Sequence, residues 1–338
     1  MEALVYTAEA PFEAARFGPM GWSGHSFRLR VRAGPGGGAE DADALLDACR
    51  RAVAGLDGTL LNERLTAVDD AALVAELGQR LRSHGVEPGR VALRSAPERG
   101  AGEQQDADGQ AARWSWRAFR FEAAHRLPYV PEGHPCARMH GHGYRVLVES
   151  RLADTEQLGA WWSPLGAALE HSCLNDRLEN PTSEHLAAWI WAQLAERGCG
   201  VERVHVLETE HSGCTFDGRQ HTAWKAQRFE AATAQAGAGD ARARLHGHGY
   251  RLRVHVAAPL DDERGWTMDY GDIKAACRPV LDALDHQRLD RIAGLEAGDV
   301  GSLAQWIADA LAERMPALRR VDVHEREGVG AIATPSGR

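Results

Sequence analysis

The sequence predicts an α+β protein built from three tandem copies of one unit, each a four-stranded antiparallel sheet carrying two helices. Three observations lead there. The tetrad Phe12-Glu13-Ala14-Ala15 returns as Phe121-Glu122-Ala123-Ala124 and as Phe229-Glu230-Ala231-Ala232, at offsets of 109 and 108 residues. A second anchor, Gly24-His25-Ser26-Phe27-Arg28, returns as Gly141-His142-Gly143-Tyr144-Arg145 and Gly247-His248-Gly249-Tyr250-Arg251. Each copy then closes on a short alternating segment: Arg90-Val91-Ala92-Leu93, Arg203-Val204-His205-Val206 and Arg320-Val321-Asp322-Val323. Anchors recurring in one order at one period are the mark of a repeated supersecondary unit.

Within a copy, two alternating stretches near the start read as an antiparallel hairpin, because a period of two turns one face inward. A segment of helical period follows, as from Asp272 to Leu284, and leads into Leu56-Asp57-Gly58, Leu169-Glu170-His171 or Leu284-Asp285-His286. A second helix begins near Ser183, where Thr182-Ser183-Glu184 supplies cap-type residues ahead of Leu186-Ala187-Ala188-Trp189-Ile190. The alternating segment is the last strand. The expected units are residues 1–95, 114–220 and 221–335. The stretch 96–113, rich in Gly, Glu, Gln and Asp, reads as a flexible linker.

At 338 residues the chain is too long for one ordinary core. Apolar residues at 44% and charged residues at 26% make a soluble globular composition. A net charge of −9 gives no electrostatic reason to expect nucleic acid or an anionic membrane as partner, while leaving room for a local basic pocket. No stretch approaches the ~20 apolar residues of a membrane helix. The first residues lack the basic and apolar runs of a signal peptide. The six cysteines show neither CxxC nor disulfide-scaffold spacing, so a cytoplasmic chain with reduced thiols is expected.

The chemistry concentrates in the middle copy. His140 and His142, two apart on a strand, face the same side. His125 ends the preceding strand, and a hairpin brings it opposite them. Three neutral imidazoles with an open fourth position make a catalytic zinc site, whereas a structural site has four protein ligands. A lone His-x-His is weak; the third histidine at the matching place strengthens it. Cys136, four residues before His140, is by type more often a small buried hydrophobe than a nucleophile or base. Beside a divalent cation its thiolate would be favoured. His171 by itself reads as a surface histidine.

The run Phe121-Glu-Ala-Ala-His125-Arg-Leu-Pro-Tyr-Val-Pro-Glu-Gly-His-Pro-Cys136-Ala-Arg-Met-His140-Gly-His142 resembles the bacterial 6-carboxytetrahydropterin synthases of the 6-pyruvoyl/6-carboxytetrahydropterin synthase family. Leu174-Asn175-Asp176, Leu178-Glu179-Asn180-Pro181-Thr182-Ser183-Glu184, Glu208-Thr209 and Ser212-Gly213-Cys214 carry it further, so that it spans residues 117 to 218. The resemblance implies the T-fold, or tunnelling fold. It implies one Zn²⁺ per chain, in the middle unit on His125, His140 and His142, with Cys136 as the proton-abstracting thiol. Glu208 would grip the guanidine-like edge of a pterin, and Thr182 and Ser183 would line the substrate site. His171 matches the histidine of the family's Asp-His pair, with Glu170 standing where aspartate is usual. Three residues between Cys136 and His140 match the carboxypterin-forming branch of queuosine biosynthesis.

The implied reaction converts 7,8-dihydroneopterin triphosphate to 6-carboxytetrahydropterin, acetaldehyde and triphosphate. Pyruvoyl-type triphosphate elimination is one alternative, and a non-catalytic pterin- or purine-binding T-fold protein is another. The other copies are degraded. The third keeps His246, His248, Asp285, His286 and Glu325, but has Thr233 and Arg242 at the first-ligand and cysteine positions. The first has Arg16 and Ser23 at ligand positions, His25 alone remaining, with Gly58 and Ser95 in place of the later histidine and glutamate. The family closes twelve strands from three subunits into a barrel, so three fused units imply a single-chain pseudo-trimer and a homodimer of such chains. Asp285, His286 and Glu325 are then candidates to complete the middle site.

Overall fold

A computed structural model of the chain describes residues 4–18, 21–105, 110–152 and 154–337. The three copies fold alike. The first comprises β1 (Leu4–Gly18), β2 (Gly21–Ala33), α1 (Ala42–Ala54), the two-residue β3 (Thr59–Leu60), α2 (Asp70–Ser83), β4 (Arg90–Ala96) and β5 (Arg99–Gln105). The second comprises β6 (Ala111–His125), β7 (His140–Ser150), α3 (Thr155–Leu169), the two-residue β8 (Ser172–Cys173), α4 (Ser183–Ala195), β9 (Val201–Thr209) and β10 (Ser212–Phe216). The third comprises β11 (His221–Thr233), β12 (His246–Val256), α5 (Tyr270–Asp282), α6 (Val300–Ala312), β13 (Leu318–Arg326) and β14 (Val329–Ala333).

The same cross-strand ring pair sits in each hairpin. Phe12 stacks on Phe27 at 5.0 Å, Phe121 on Tyr144 at 4.9 Å, and Phe229 on Tyr250 at 5.0 Å. Such pairs add about 0.5–1.5 kcal/mol to the burial of their surfaces and hold the register of the long strands. The long strands follow one hydrogen-bonded order, β14-β13-β12-β11-β10-β9-β7-β6-β5-β4-β2-β1, and β14 pairs with β1, so the order returns to its start. The expected α+β class of tandem T-fold units with a closed set of twelve long strands is therefore met. Closure removes the unpaired edge on which sheets aggregate.

One expectation is corrected. Of the stretch 96–113 read as a linker, Arg99–Gln105 is strand β5, paired with β4 from Arg90↔Gln104 to Ala96↔Arg99. Glycine and polar residues hid it. Its small residues Gly100, Ala101 and Gly102 are buried, and the ladder satisfies a backbone that its side chains do not announce. β6 already begins at Ala111, and 106–109 lie outside the described residues.

The chain forms two compact units, one of Met1–Arg113, Gln227–Val254 and Ala275–Arg338, the other of Trp114–Ala226 and His255–Lys274. The second holds the middle copy and a segment of the third. Its core packs Phe121, Tyr144, Val146 and Val148 of the hairpin against Leu158, Trp162 and Leu165 of α3 and Leu186, Ile190 and Leu194 of α4. Asp154 opens α3 with a capping box and Thr182 caps α4. Among the described residues no helix is long and apolar enough to cross a membrane.

Candidate metal centre and active site

The β6–β7 register sets His125 directly opposite His140, and Ala123 opposite His142. One nitrogen from each of His125, His140 and His142 lies within 4.8 Å of the others. His125 Nδ1 stands 3.1 Å from the Pro181 carbonyl and His140 Nδ1 2.8 Å from the Arg138 carbonyl. A carbonyl only accepts, so each Nδ1 carries the proton and each Nε2 a lone pair. Those two Nε2 atoms face one another at 3.2 Å. Two lone pairs at that distance repel unless a cation lies between them. About 3.3 Å is the separation of two imidazole nitrogens bound to one tetrahedral zinc. Carbonyl acceptors behind the rings are the usual outer support of histidine ligands. Burial lowers the His125 imidazole to about 4, and burial lowers that of His142 against the pull of Glu208, so both stay neutral and ready to ligate. The residues present fit a divalent cation.

Cys136 lies in a short helical turn, Pro135–Ala137, ahead of β7. Its backbone N–H donates to His134 Nδ1 at 3.2 Å, and His134 Nε2 stands 3.5 Å from Asp269 Oδ2. The half-buried thiol is pushed up by burial, then by Glu208 and Asp269. A bound cation would act the other way, toward thiolate.

Glu208 owes its position to a β-bulge. Leu207 pairs with Gly213 and Thr209 with Ser212, leaving Glu208 as the extra residue. Bulges re-aim a side chain beside functional sites. The same bulge leaves Ser95 extra between Arg94 and Ala96, and Glu325 extra between His324 and Arg326. Burial raises the Glu208 carboxyl, which His142 and a hydrogen bond from Ser183 partly offset.

Residues 264–270 of the third copy belong to the same compact unit and finish the site. Thr182 donates its hydroxyl to the Gly265 carbonyl at 2.8 Å, and Asn180 Nδ2 donates to the Arg264 carbonyl at 2.7 Å. The Thr267 amide donates to Glu184 at 2.9 Å, and the Tyr270 hydroxyl meets Ser183 Oγ at 3.1 Å. Thr182 is thus committed to capping and to this loop, while Ser183 reaches Glu208. His134, Glu184, Lys225, Asp269 and Tyr270 went unnoticed as site residues in the sequence. Only the Thr-Ser-Glu cap hinted at one of them.

His171 and His286 hold positive φ angles of 52° and 58°. Their amides donate to the Glu122 and Glu230 carbonyls at 2.7 and 2.6 Å, as the Gly58 amide does to Glu13. A non-glycine residue there costs of order 1 kcal/mol or more. Glu170, despite its extra methylene, accepts from the Glu122 amide at 3.1 Å as Asp285 accepts from the Glu230 amide at 2.9 Å. His171 Nε2 lies 3.3 Å from Glu170, and His286 Nδ1 3.0 Å from Asp285. Both rings are largely exposed. No contact joins His171 to Cys136 among the described residues. Asp285, His286 and Glu325 belong to the other compact unit.

In that unit the first-ligand position is filled without a ligand set. Arg16 donates to the Val68 carbonyl at 2.7 Å and pairs with Asp70 at 2.7 Å, and Ser95 donates to Asp70. Thr233 donates to the Gly298 carbonyl at 2.9 Å. Arg242 pairs with Asp43 at 2.8 Å and Asp41 at 3.2 Å, and Arg326 holds Glu325 at 2.6 Å. Glu325 is thereby tied up by a guanidinium, unlike Glu208. The side chain of His25 lies outside what the structure describes.

Tandem T-fold units with a three-histidine cluster beside a half-buried thiol define a protein of the pterin-synthase type. The profile described as 6-pyruvoyl tetrahydropterin synthase matches residues 115–219 and 222–336, more than half of the sequence, and the chain belongs to that family. A 6-carboxy-5,6,7,8-tetrahydropterin synthase of Synechocystis is 44% identical over 118 residues, 30% of this chain and 90% of that protein. Among solved structures, 6-pyruvoyl tetrahydropterin synthase of Caenorhabditis elegans covers 32% of this chain and 92% of its own at 22% identity, with a TM-score of 0.29. A uricase from Bacillus fastidious covers 67% of this chain and 88% of its own at 11% identity, with a TM-score of 0.30.

Proposed function

We propose that the chain is a zinc-dependent 6-carboxy-5,6,7,8-tetrahydropterin synthase. It takes 7,8-dihydroneopterin triphosphate and one water to 6-carboxytetrahydropterin, acetaldehyde and triphosphate, in the route to queuosine. The observation that carries this reading is the convergence of His125, His140 and His142 beside Cys136 and the bulge-presented Glu208. The 44% identity of the Synechocystis relative supports the carboxypterin branch.

Glu208 would accept two parallel N–H bonds from the amino-amide edge of the pterin, the bidentate geometry a carboxylate offers. That fixes the ring and carries its side chain toward the histidines. A divalent ion held there would supply Lewis acidity to the side-chain oxygens. Cys136, as thiolate, would remove a side-chain proton, and His171 with Glu170 would serve as the partner acid and base. Asp285-His286 repeats that pair in the other copy. The division into three copies, with the first extended through β5 and the second beginning at β6, and the homodimer of such chains belong to the same proposal.

Product analysis tests it. Purified chain given dihydroneopterin triphosphate should release acetaldehyde and triphosphate; release of triphosphate alone would establish the pyruvoyl-type reaction instead. Cys136→Ala should lower turnover by about 10²–10⁴-fold with metal content unchanged. Parallel His171→Ala and His286→Ala variants show which histidine the reaction needs.

A further inference from the structure

Lysine is almost missing from this chain. Of its 39 basic residues two are lysines, Lys225 and Lys274, and the rest are arginines. Both stand in the compact unit that holds the three histidines, close enough to affect one another's charge. Lys274 is exposed on the first turns of α5, whereas Lys225 is half-buried.

Lys225 pairs directly opposite Ser212 in the β10–β11 ladder, beside the bulge that presents Glu208. Its Nζ lies 5.8 Å from the centre of the Tyr270 ring. The Tyr270 hydroxyl meets Ser183 Oγ at 3.1 Å, and Ser183 hydrogen-bonds Glu208. Glu208 and Asp269 are the carboxylates in electrostatic reach of the ammonium, and neither reaches ion-pair distance among the described residues. In the third copy an arginine at the position of Thr209, not of Lys225, closes on the equivalent glutamate: Arg326 lies 2.6 Å from Glu325. A guanidinium is a planar fork that matches a carboxylate, whereas an ammonium is a compact charge with rotatable donors. A lysine can therefore place positive charge next to Glu208 and leave both its oxygens open.

We infer that Lys225 is a ligand-binding residue: a single charged donor aimed at the carbonyl oxygen that adjoins the amino-amide edge held by Glu208. The inference rests on the assignment of Glu208 above. A ring that offers two N–H donors followed by a carbonyl needs an acceptor followed by a donor. Glu208 on β9 and Lys225 on β11 provide that sequence from the two strands that flank β10. The pair selects lactam-bearing heterocycles of the pterin and guanine type over rings that lack the carbonyl acceptor.

Equilibrium binding to the full chain, followed by ligand fluorescence, tests this with two probes. One is pterin. The other is its 4-thioxo analogue, which keeps the N–H edge but carries a poor acceptor in place of the carbonyl. Wild type should prefer pterin. Lys225→Met should weaken pterin by about tenfold to a hundredfold, the loss of one charge-assisted hydrogen bond, and abolish the preference. Glu208→Gln should weaken both probes alike. Lys225→Arg, which keeps the charge, should also lose affinity for both because it closes on Glu208. A Lys225→Met variant that retains the wild-type preference overturns the inference, as does a Lys225→Arg variant that binds like wild type. Failure of wild type to bind either probe defeats the pterin reading itself.

Discussion

Glu184 sits buried at the start of α4, with 3% of its surface exposed and its carboxylate accepting from the Thr267 amide at 2.9 Å. Burial lifts its carboxyl to about 7, with Glu208 adding to the effect. Its proton is therefore held in the folded chain over a range where the unfolded chain, titrating near ~4.3, has released it. Below both values there is no difference. As pH rises from about 4.5 to about 7 the folded state alone keeps the proton, so stability falls across that window, by at most about 3 kcal/mol. Glu184→Gln keeps an acceptor for Thr267 and should flatten the slope. Urea unfolding at pH 5 and pH 7 measures it; equal slopes in variant and wild type would refute the assignment. The candidate metal ligands were legible in the sequence because their spacing on two strands is local chemistry, and Cys136 was singled out by the family resemblance. Glu184 was not, because its environment is made by Thr267, 83 residues away.

At the scale of elements, the hairpins and helices follow from period and caps, while bulges and loops do not. Three bulges place Ser95, Glu208 and Glu325 identically, yet no residue in them marks the extra position. Strand β5 went unread because its pairing is a backbone matter. The loop before α5 shows how tightly such segments are specified. Gly265 has φ +68°, and a Cβ there would meet His185 Cε1 at 2.4 Å and Asn180 Nδ2 at 2.9 Å. Gly265→Ala should cost about 1–3 kcal/mol, seen as a lowered Tm, because strain and a clash coincide. An unchanged Tm would show that the loop yields. The variant should also slow turnover, since the loop carries Thr267, Asp269 and Tyr270 into the site.

Across the whole molecule one fold recurs three times, and the three-histidine group occurs once among the described residues. The first-ligand position always bonds the carbonyl that precedes the second helix of its copy: Arg16 to Val68, His125 to Pro181, Thr233 to Gly298. That bond serves the fold, and the imidazole adds a lone pair on its far side. Metal analysis should accordingly find one zinc per chain. His246→Ala should leave that figure unchanged, and His125→Ala should abolish it. Thr233→His restores a three-histidine set with the same carbonyl behind it, and should raise the figure toward two. A second metal in the wild type would contradict the reading of the third copy as incomplete.

The sequence alone determined the repeat, the α+β class, the candidate metal-ligand set and the family resemblance. The repeat is read from anchors 108 and 109 residues apart, and the other three reside in short-range spacing, which strand and helix geometry converts directly into position. The tertiary structure decided the rest: that Glu208 and its two counterparts stand on bulges, that Arg16, Arg242 and Arg326 are engaged by carboxylates of the other copies, and that a loop of the third copy packs against the middle site. Those features depend on contacts between residues far apart in the chain, where burial and charge have no local signature to be read.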